Sequence, residues 1–91
     1  MVVKNNDENI DYLFNKATSI ILKKYREKSG LSLEEVAKKM SIPITRQSLF
    51  KYENNLARIK NNVFIDICKV LKINPNKVFD EINETFLSLT K

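Results

Sequence analysis

The sequence predicts an all-α chain, a compact five-helix domain with an extended first helix. Three observations carry that expectation. Apolar residues recur at steps of three and four through most of the chain. One Gly and two Pro leave little material for tight hairpins, while helix-favouring Lys, Leu and Glu are plentiful. Capping residues stand where the apolar stripes begin. The 91 residues suffice for one domain with a modest core and are too few for two.

The first helix is read from Ile10, Leu13, Phe14, Ala17, Ile20, Ile21 and Tyr25, one stripe of about four turns. Asp7, Glu8 and Asp11 near its start and Lys23, Lys24, Arg26 and Lys28 near its end suit the helix dipole, and Gly30 stops it. "SLEE" at 32–35 is a capping box, and Leu33, Val36, Ala37 and Met40 give a short second helix over about 33–40. After a turn around Pro43, Thr45 caps a third helix running to about Asn54, with Asn55 able to close it in the left-handed conformation. Asn61 or Asn62 is expected to cap a fourth helix with the face Val63, Phe64, Ile67, Cys68 and Leu71. That helix is expected to end at Asn74, and a fifth to begin at Pro75 with the stripe Val78, Phe79, Ile82, Phe86 and Leu89.

Composition narrows the chemistry. A single Cys, Cys68, cannot form an intramolecular disulfide, and without His there is no zinc site, so neither metal nor cofactor is expected. The same lack of His, with no paired carboxylates in an evident cleft, argues against an enzyme. No apolar run approaches the roughly 20 residues of a membrane helix, and "MVVKNNDENI" lacks the apolar segment of a signal peptide. The expectation is a cytoplasmic protein with no membrane partner. Asn, Ile and Lys supply 34 of 91 residues, which suggests an A/T-rich coding genome and a bacterial, phage or mobile-element origin.

The net charge of +5 is unevenly spread. Residues 1–15 hold one basic residue against three acids, residues 16–75 thirteen against five, and residues 76–91 two against three. A basic centre between acidic ends suits a polyanion, because phosphate neutralisation releases counterions. Lys as a merely solvating residue accounts for the charge almost as well.

On a helical wheel over 46–53, Leu49 and Tyr52 share one side with Glu53 beside them. Gln47 and Lys51 lie opposite, flanked by Phe50 and Arg46. That exposed side matches what a DNA major groove presents: Gln can bond bidentately to adenine, Arg to guanine, and an apolar side chain can touch the thymine methyl. A solvated surface helix, with Phe50 facing another protein, is the plainer alternative.

The longer order "LKKYREKSGLSLEEVAKKM" followed by "TRQSLFKYENN" resembles the helix-turn-helix of the Cro and phage-repressor type, the XRE family. The matching positions are Arg26, Gly30, Ser32, Val36, Ala37, Leu49, Tyr52 and Glu53, continuing through Phe64, Ile67 and Leu71 to Ile73 and Val78 or Phe79. The resemblance implies a lambda-repressor-like domain over 18–79, preceded by an extension at 1–17 and followed by the rest of the last helix at 80–91. It implies that Arg26 and Glu53 pair to tie the first helix to the end of the third. Phosphate contacts would come from Ser32, Thr45, Ser48, Arg58 and Lys60, and base contacts from Arg46, Gln47, Phe50 and Lys51. Lys38, Lys39, Lys69 and Lys72 read better as a solvated face. Ala37 must be small where the second and third helices cross. Cys68, where the family often has Ala, reads as a small core residue.

Three positions depart from the family pattern. The interval from Ala37 to Leu49 is two residues longer than usual, which enlarges the turn "SIPI" at 41–44. Leu33 stands where many relatives have a Gln that contacts DNA, so that contact should be absent. Asn55 replaces the usual Gly.

The resemblance implies a sequence-specific transcriptional regulator, a repressor or autoregulator of the controller-protein or immunity-repressor size class. Its partners would be double-stranded DNA with a two-fold operator and a second copy of itself. Two dimer surfaces are candidates, the extension with Ile10, Leu13 and Phe14, and the last helix with Phe79, Ile82, Phe86 and Leu89. The last helix is expected to supply most of the contact, although the two stripes can also pack on each other within one chain. No ligand domain is evident, so control by concentration is expected, with no small-molecule ligand. The alternative is an antitoxin-like interaction module whose terminal helices mask a protein partner while its motif binds DNA.

Overall fold

The computed structural model describes residues 4–90, with side chains from residue 10 onward. Five helices follow one another: α1 (Lys4–Ser29), α2 (Leu33–Lys39), α3 (Arg46–Glu53), α4 (Asn61–Leu71) and α5 (Pro75–Leu89). The described residues contain no strand. None of the helices is long and apolar enough to cross a membrane.

At 1.5 Å per residue, a 26-residue α1 is roughly 39 Å long, which accounts for most of the molecule's 45 Å long dimension. It begins earlier than the apolar stripe implied, which sets Asp7 and Glu8 near its start; their side chains lie outside the described ones. Gly30, at φ 78°, ends it. Its buried face is turned from the expected one. Ala17, Thr18, Ser19, Ile21 and Leu22 are buried, whereas Ile20 is 42% and Ile10 50% exposed. Periodicity missed this because two hydroxyls occupy the core side. Thr18 Oγ1 donates to the Phe14 carbonyl of its own helix at 2.9 Å, and Ser19 Oγ lies between the Asn15 carbonyl, at 3.0 Å, and the Tyr52 carbonyl of α3, sharing its one proton between them.

The core draws on every helix. Val36 of α2, Leu49 of α3, Val63, Ile67, Cys68 and Leu71 of α4, and Val78 and Ile82 of α5 close against Ala17, Ile21 and Leu22 of α1. Burying each Leu, Ile or Val contributes on the order of 1.5–3 kcal/mol. Cys68 is fully buried, and the loss of solvation pushes its thiol up to about 11, so it is a packing residue.

Two helix boundaries correct the sequence reading. Lys60, not Asn61 or Asn62, is the N-cap of α4, and it makes no side-chain capping bond. Asn62 lies inside the first turn, its Oδ1 accepting from the Val63 amide at 2.9 Å. The helix ends at Leu71, not Asn74, because Lys72 turns left-handed at φ 58° and the Ile73 amide reaches back to the Cys68 carbonyl at 3.0 Å. Asn74 instead caps α5, accepting from the Asn76 amide at 2.8 Å with Pro75 at the first helical position.

Candidate nucleic-acid interface

The interface candidate is built from the first turns of α2 and α3 and the loop that follows α3. Ser32 Oγ accepts from the Glu35 amide at 3.1 Å, and the Glu35 carboxylate accepts from the Ser32 amide at 2.8 Å. This reciprocal capping box holds the Glu35 carboxyl below its ordinary range, through the backbone bond first and the side-chain bond second. At α3, Thr45 Oγ1 accepts from the Ser48 amide at 3.1 Å and donates to Ser48 Oγ at 3.0 Å. Ser32 and Thr45 are exposed and Ser48 is half-buried.

One face of α3 holds the helix and the other is left to solvent. Leu49 is 3% exposed, and Tyr52 packs against the core beside it. Arg46, Gln47 and Lys51 are exposed, and Phe50 is 48% exposed, an aromatic ring open to water. The C-terminal end is closed by Asn55 at φ 57°, with the Leu56 amide donating to the Lys51 carbonyl at 2.8 Å. Beyond it, Arg58 and Lys60 are exposed in the loop.

The second end of α3 is fixed to α1. Arg26 Nε donates to Glu53 Oε2 at 2.6 Å and Nη2 to Oε1 at 2.9 Å, a bidentate pair, while Nη1 donates to the Leu31 carbonyl at 2.8 Å. Both side chains are largely buried, and the Glu53 bond raises the Arg26 guanidinium further above its ordinary value. Ser19 donates to the Tyr52 carbonyl, and Asn15 donates to the Asn55 side chain and to the Ala57 carbonyl, the latter at 3.3 Å.

The enlarged turn between α2 and α3 has an anchor that sequence reasoning missed. Asp66, 6% exposed on α4, accepts from the Ile42 amide at 2.9 Å, and Ile42 and Ile44 pack against the core on either side of the exposed Pro43. The signal was present: Asp66 falls three residues after Val63, an acid on an otherwise apolar face. Leu33 is half-buried against the same core, lining a void of about 10 Å³ with Val36, Leu49 and Ile67.

The residues expected at a dimer surface separate. Phe79 is 51% exposed and Phe86 and Leu89 are partly buried, but Ile82 is 1% exposed and belongs to the core of its own chain. Ile82 is therefore corrected from a contact residue to a core residue, since α5 turns it toward α1. The Phe14 ring meets Phe86 edge-on at 5.5 Å and Phe79 at 5.9 Å, so the stripes of α1 and α5 pack on each other within one chain. Tyr25 donates to Glu81, and Lys24 pairs with the same carboxylate at 3.3 Å, joining the two helices further along.

A family model described as Helix-turn-helix matches residues 22–78, more than half of the chain. No curated protein matches it. The fold is similar to that of the clp gene regulator ClgR from Corynebacterium glutamicum, with a TM-score of 0.77 at 17% identity over 85% of this chain and 80% of that one. It is also similar to a mutant of the restriction-modification controller protein C.Esp1396I, with a TM-score of 0.73 at 23% identity over 82% of this chain and 97% of that one.

Proposed function

Because the chain belongs to the helix-turn-helix family, in its Cro and phage-repressor branch, and is thereby a DNA-binding transcriptional regulator, we propose that it reads a two-fold operator as a homodimer and represses transcription there, its own included. The observation that carries the reading is the exposed face of α3. It combines two bidentate-capable side chains, Arg46 and Gln47, in the first turn with Phe50 and Lys51 one turn on, over the buried Leu49 and the half-buried Tyr52. Such a face suits base edges in the major groove, with Phe50 against a thymine methyl.

Around that helix, Ser32 and Thr45 at the two helix starts, Ser48, and Arg58 and Lys60 in the loop are assigned to the phosphates. Residues 18–79 form the DNA-binding unit in this reading. The dimer contact is assigned to α5 through Phe79, with Phe86 and Leu89 at its edge and Ile82 left inside the protomer. The restriction-modification controller protein among the fold neighbours is a regulator of this size, which suits an autoregulatory role.

Selection of bound duplexes from a random pool tests specificity and half-site spacing together. A two-fold consensus with half-sites about one DNA turn apart is expected, and an unselected pool would overturn the reading. Gln47→Ala should relax base preference, whereas Arg58→Ala should weaken all sequences alike; identical effects would refute the assignment of roles.

A further inference from the structure

Asp11, Asn15 and Ser19 recur at steps of four along α1 and so share one helix face. All three engage the far end of the recognition unit. Ser19 bonds the Tyr52 carbonyl, Asn15 bonds Asn55 and the Ala57 carbonyl, and Asp11 Oδ2 pairs with Arg58 Nη2 at 2.9 Å. The first two hold the backbone of the loop in place. The third holds a charged side chain.

Both members of that pair are open to water, Arg58 at 68% and Asp11 at 63%. An ion pair this exposed adds little to folding stability. Its consequence lies in binding, because a carboxylate and a phosphate present the same target to a guanidinium, two anionic oxygens matched to its fork. Asp11 meets the guanidinium at Nη2 alone, so it competes with a phosphate for that nitrogen and for the charge it carries.

We propose that Asp11 is an intramolecular stand-in for a DNA phosphate: it occupies Arg58 in the free protein, competes with the DNA backbone for it, and so sets a ceiling on affinity for duplex DNA. This rests on the reading that the loop at 56–60 meets the DNA backbone. A phosphate that takes Nη2 displaces Asp11 and leaves its carboxylate close to the new anion. Both effects act on every sequence alike, since neither involves a base.

The test titrates the parent, Asp11→Asn, Arg58→Ala and the double variant against a mixed-sequence duplex of about two helical turns, by fluorescence anisotropy over a range of salt. Asp11→Asn is expected to bind roughly twofold to fivefold tighter at low salt, the gain shrinking as salt screens the charges. Asp11→Glu, which keeps the charge, should bind like the parent. Arg58→Ala should bind more weakly, with a salt slope lower by about one, and in its background most of the Asp11→Asn gain should vanish. Thermal midpoints of the Asp11 variants should match the parent's, which a structural role for Asp11 would not allow. If Arg58→Ala weakens binding but Asp11→Asn changes nothing, this inference fails and the loop reading stands. An equal gain in both backgrounds would mean general charge repulsion and would also overturn it. If Arg58→Ala binds like the parent, the loop reading fails and takes this inference with it.

Discussion

The Asp66 carboxylate of α4 accepts a 2.9 Å hydrogen bond from the Ile42 amide, 24 residues earlier in the chain. That bond gives the turn at 41–44 a fixed point, and the turn sets where α3 begins. Asp66→Ala leaves the amide without its partner in a part-buried site and should cost about 1–3 kcal/mol. Asp66→Asn, which keeps an acceptor oxygen, should cost less. Urea denaturation gives the stabilities. DNA titration should show Asp66→Ala weakened even where the protein is fully folded, because the start of α3 has lost its tether.

A second prediction concerns the bidentate pair of Arg26 and Glu53, whose side chains are 16% and 11% exposed. Removing one partner of a buried pair costs about 3–5 kcal/mol. Here Arg26 keeps its bond to the Leu31 carbonyl, so Glu53→Ala should fall near the lower end of that range. The exchange Arg26→Glu with Glu53→Arg should not restore stability. A carboxylate at 26 cannot donate to the Leu31 carbonyl, and chemical denaturation of the two single variants and the double one checks this.

The Tyr25 and Glu81 contact predicts a pH dependence with two arms. The hydrogen bond to Glu81, helped by burial, raises the Tyr25 phenol from 10.0 to about 12. The folded chain therefore keeps a proton that the unfolded chain loses, and the contribution is full below pH 10 and disappears as pH climbs toward 12. On the acid side, the Tyr25 bond, followed by Lys24, lowers Glu81, so that contribution is present above the ordinary carboxylate range and is lost as pH falls through the lowered value. Tyr25→Phe should remove the alkaline arm and weaken the acid one. Thermal midpoints of the two proteins, separated near neutrality, should converge at high pH.

Lys72 is a non-glycine residue at φ 58°, a conformation that crowds its Cβ against the backbone. It is exposed at the end of α4. Lys72→Gly should stabilise the protein by about 0.5–1 kcal/mol, through relief of strain offset in part by the greater freedom of the unfolded chain. A lower urea midpoint would show that the lysine side chain contributes something the backbone geometry does not reveal.

Helix count and order were legible in the sequence because each helix carries its own periodic stripe and, for α2 and α3, a recognisable cap, with Pro75 marking the first position of α5. The exposed face of α3 was legible for the same reason, since Leu49 and Tyr52 mark the buried side of so short a helix. What stayed hidden involves polar groups that find partners far along the chain. Asp66 bonds Ile42, and Asn15 and Ser19 bond the exit of α3. Periodicity treats such residues as outward-facing. The same blindness misplaced Ile20 at the core in preference to Ser19, and it left Ile82 at a surface when the matching stripe of α1 was already there to cover it.

Helix α1 runs unbroken from Lys4 to Ser29, with Phe14 against α5 on one side and Asn15, Ser19 and Arg26 against the end of α3 on another. It works as an axle on which α5 and the end of α3 are both seated. In the proposed dimer, the spacing of the two α3 helices along a duplex would be set by how the two copies of α1 cross.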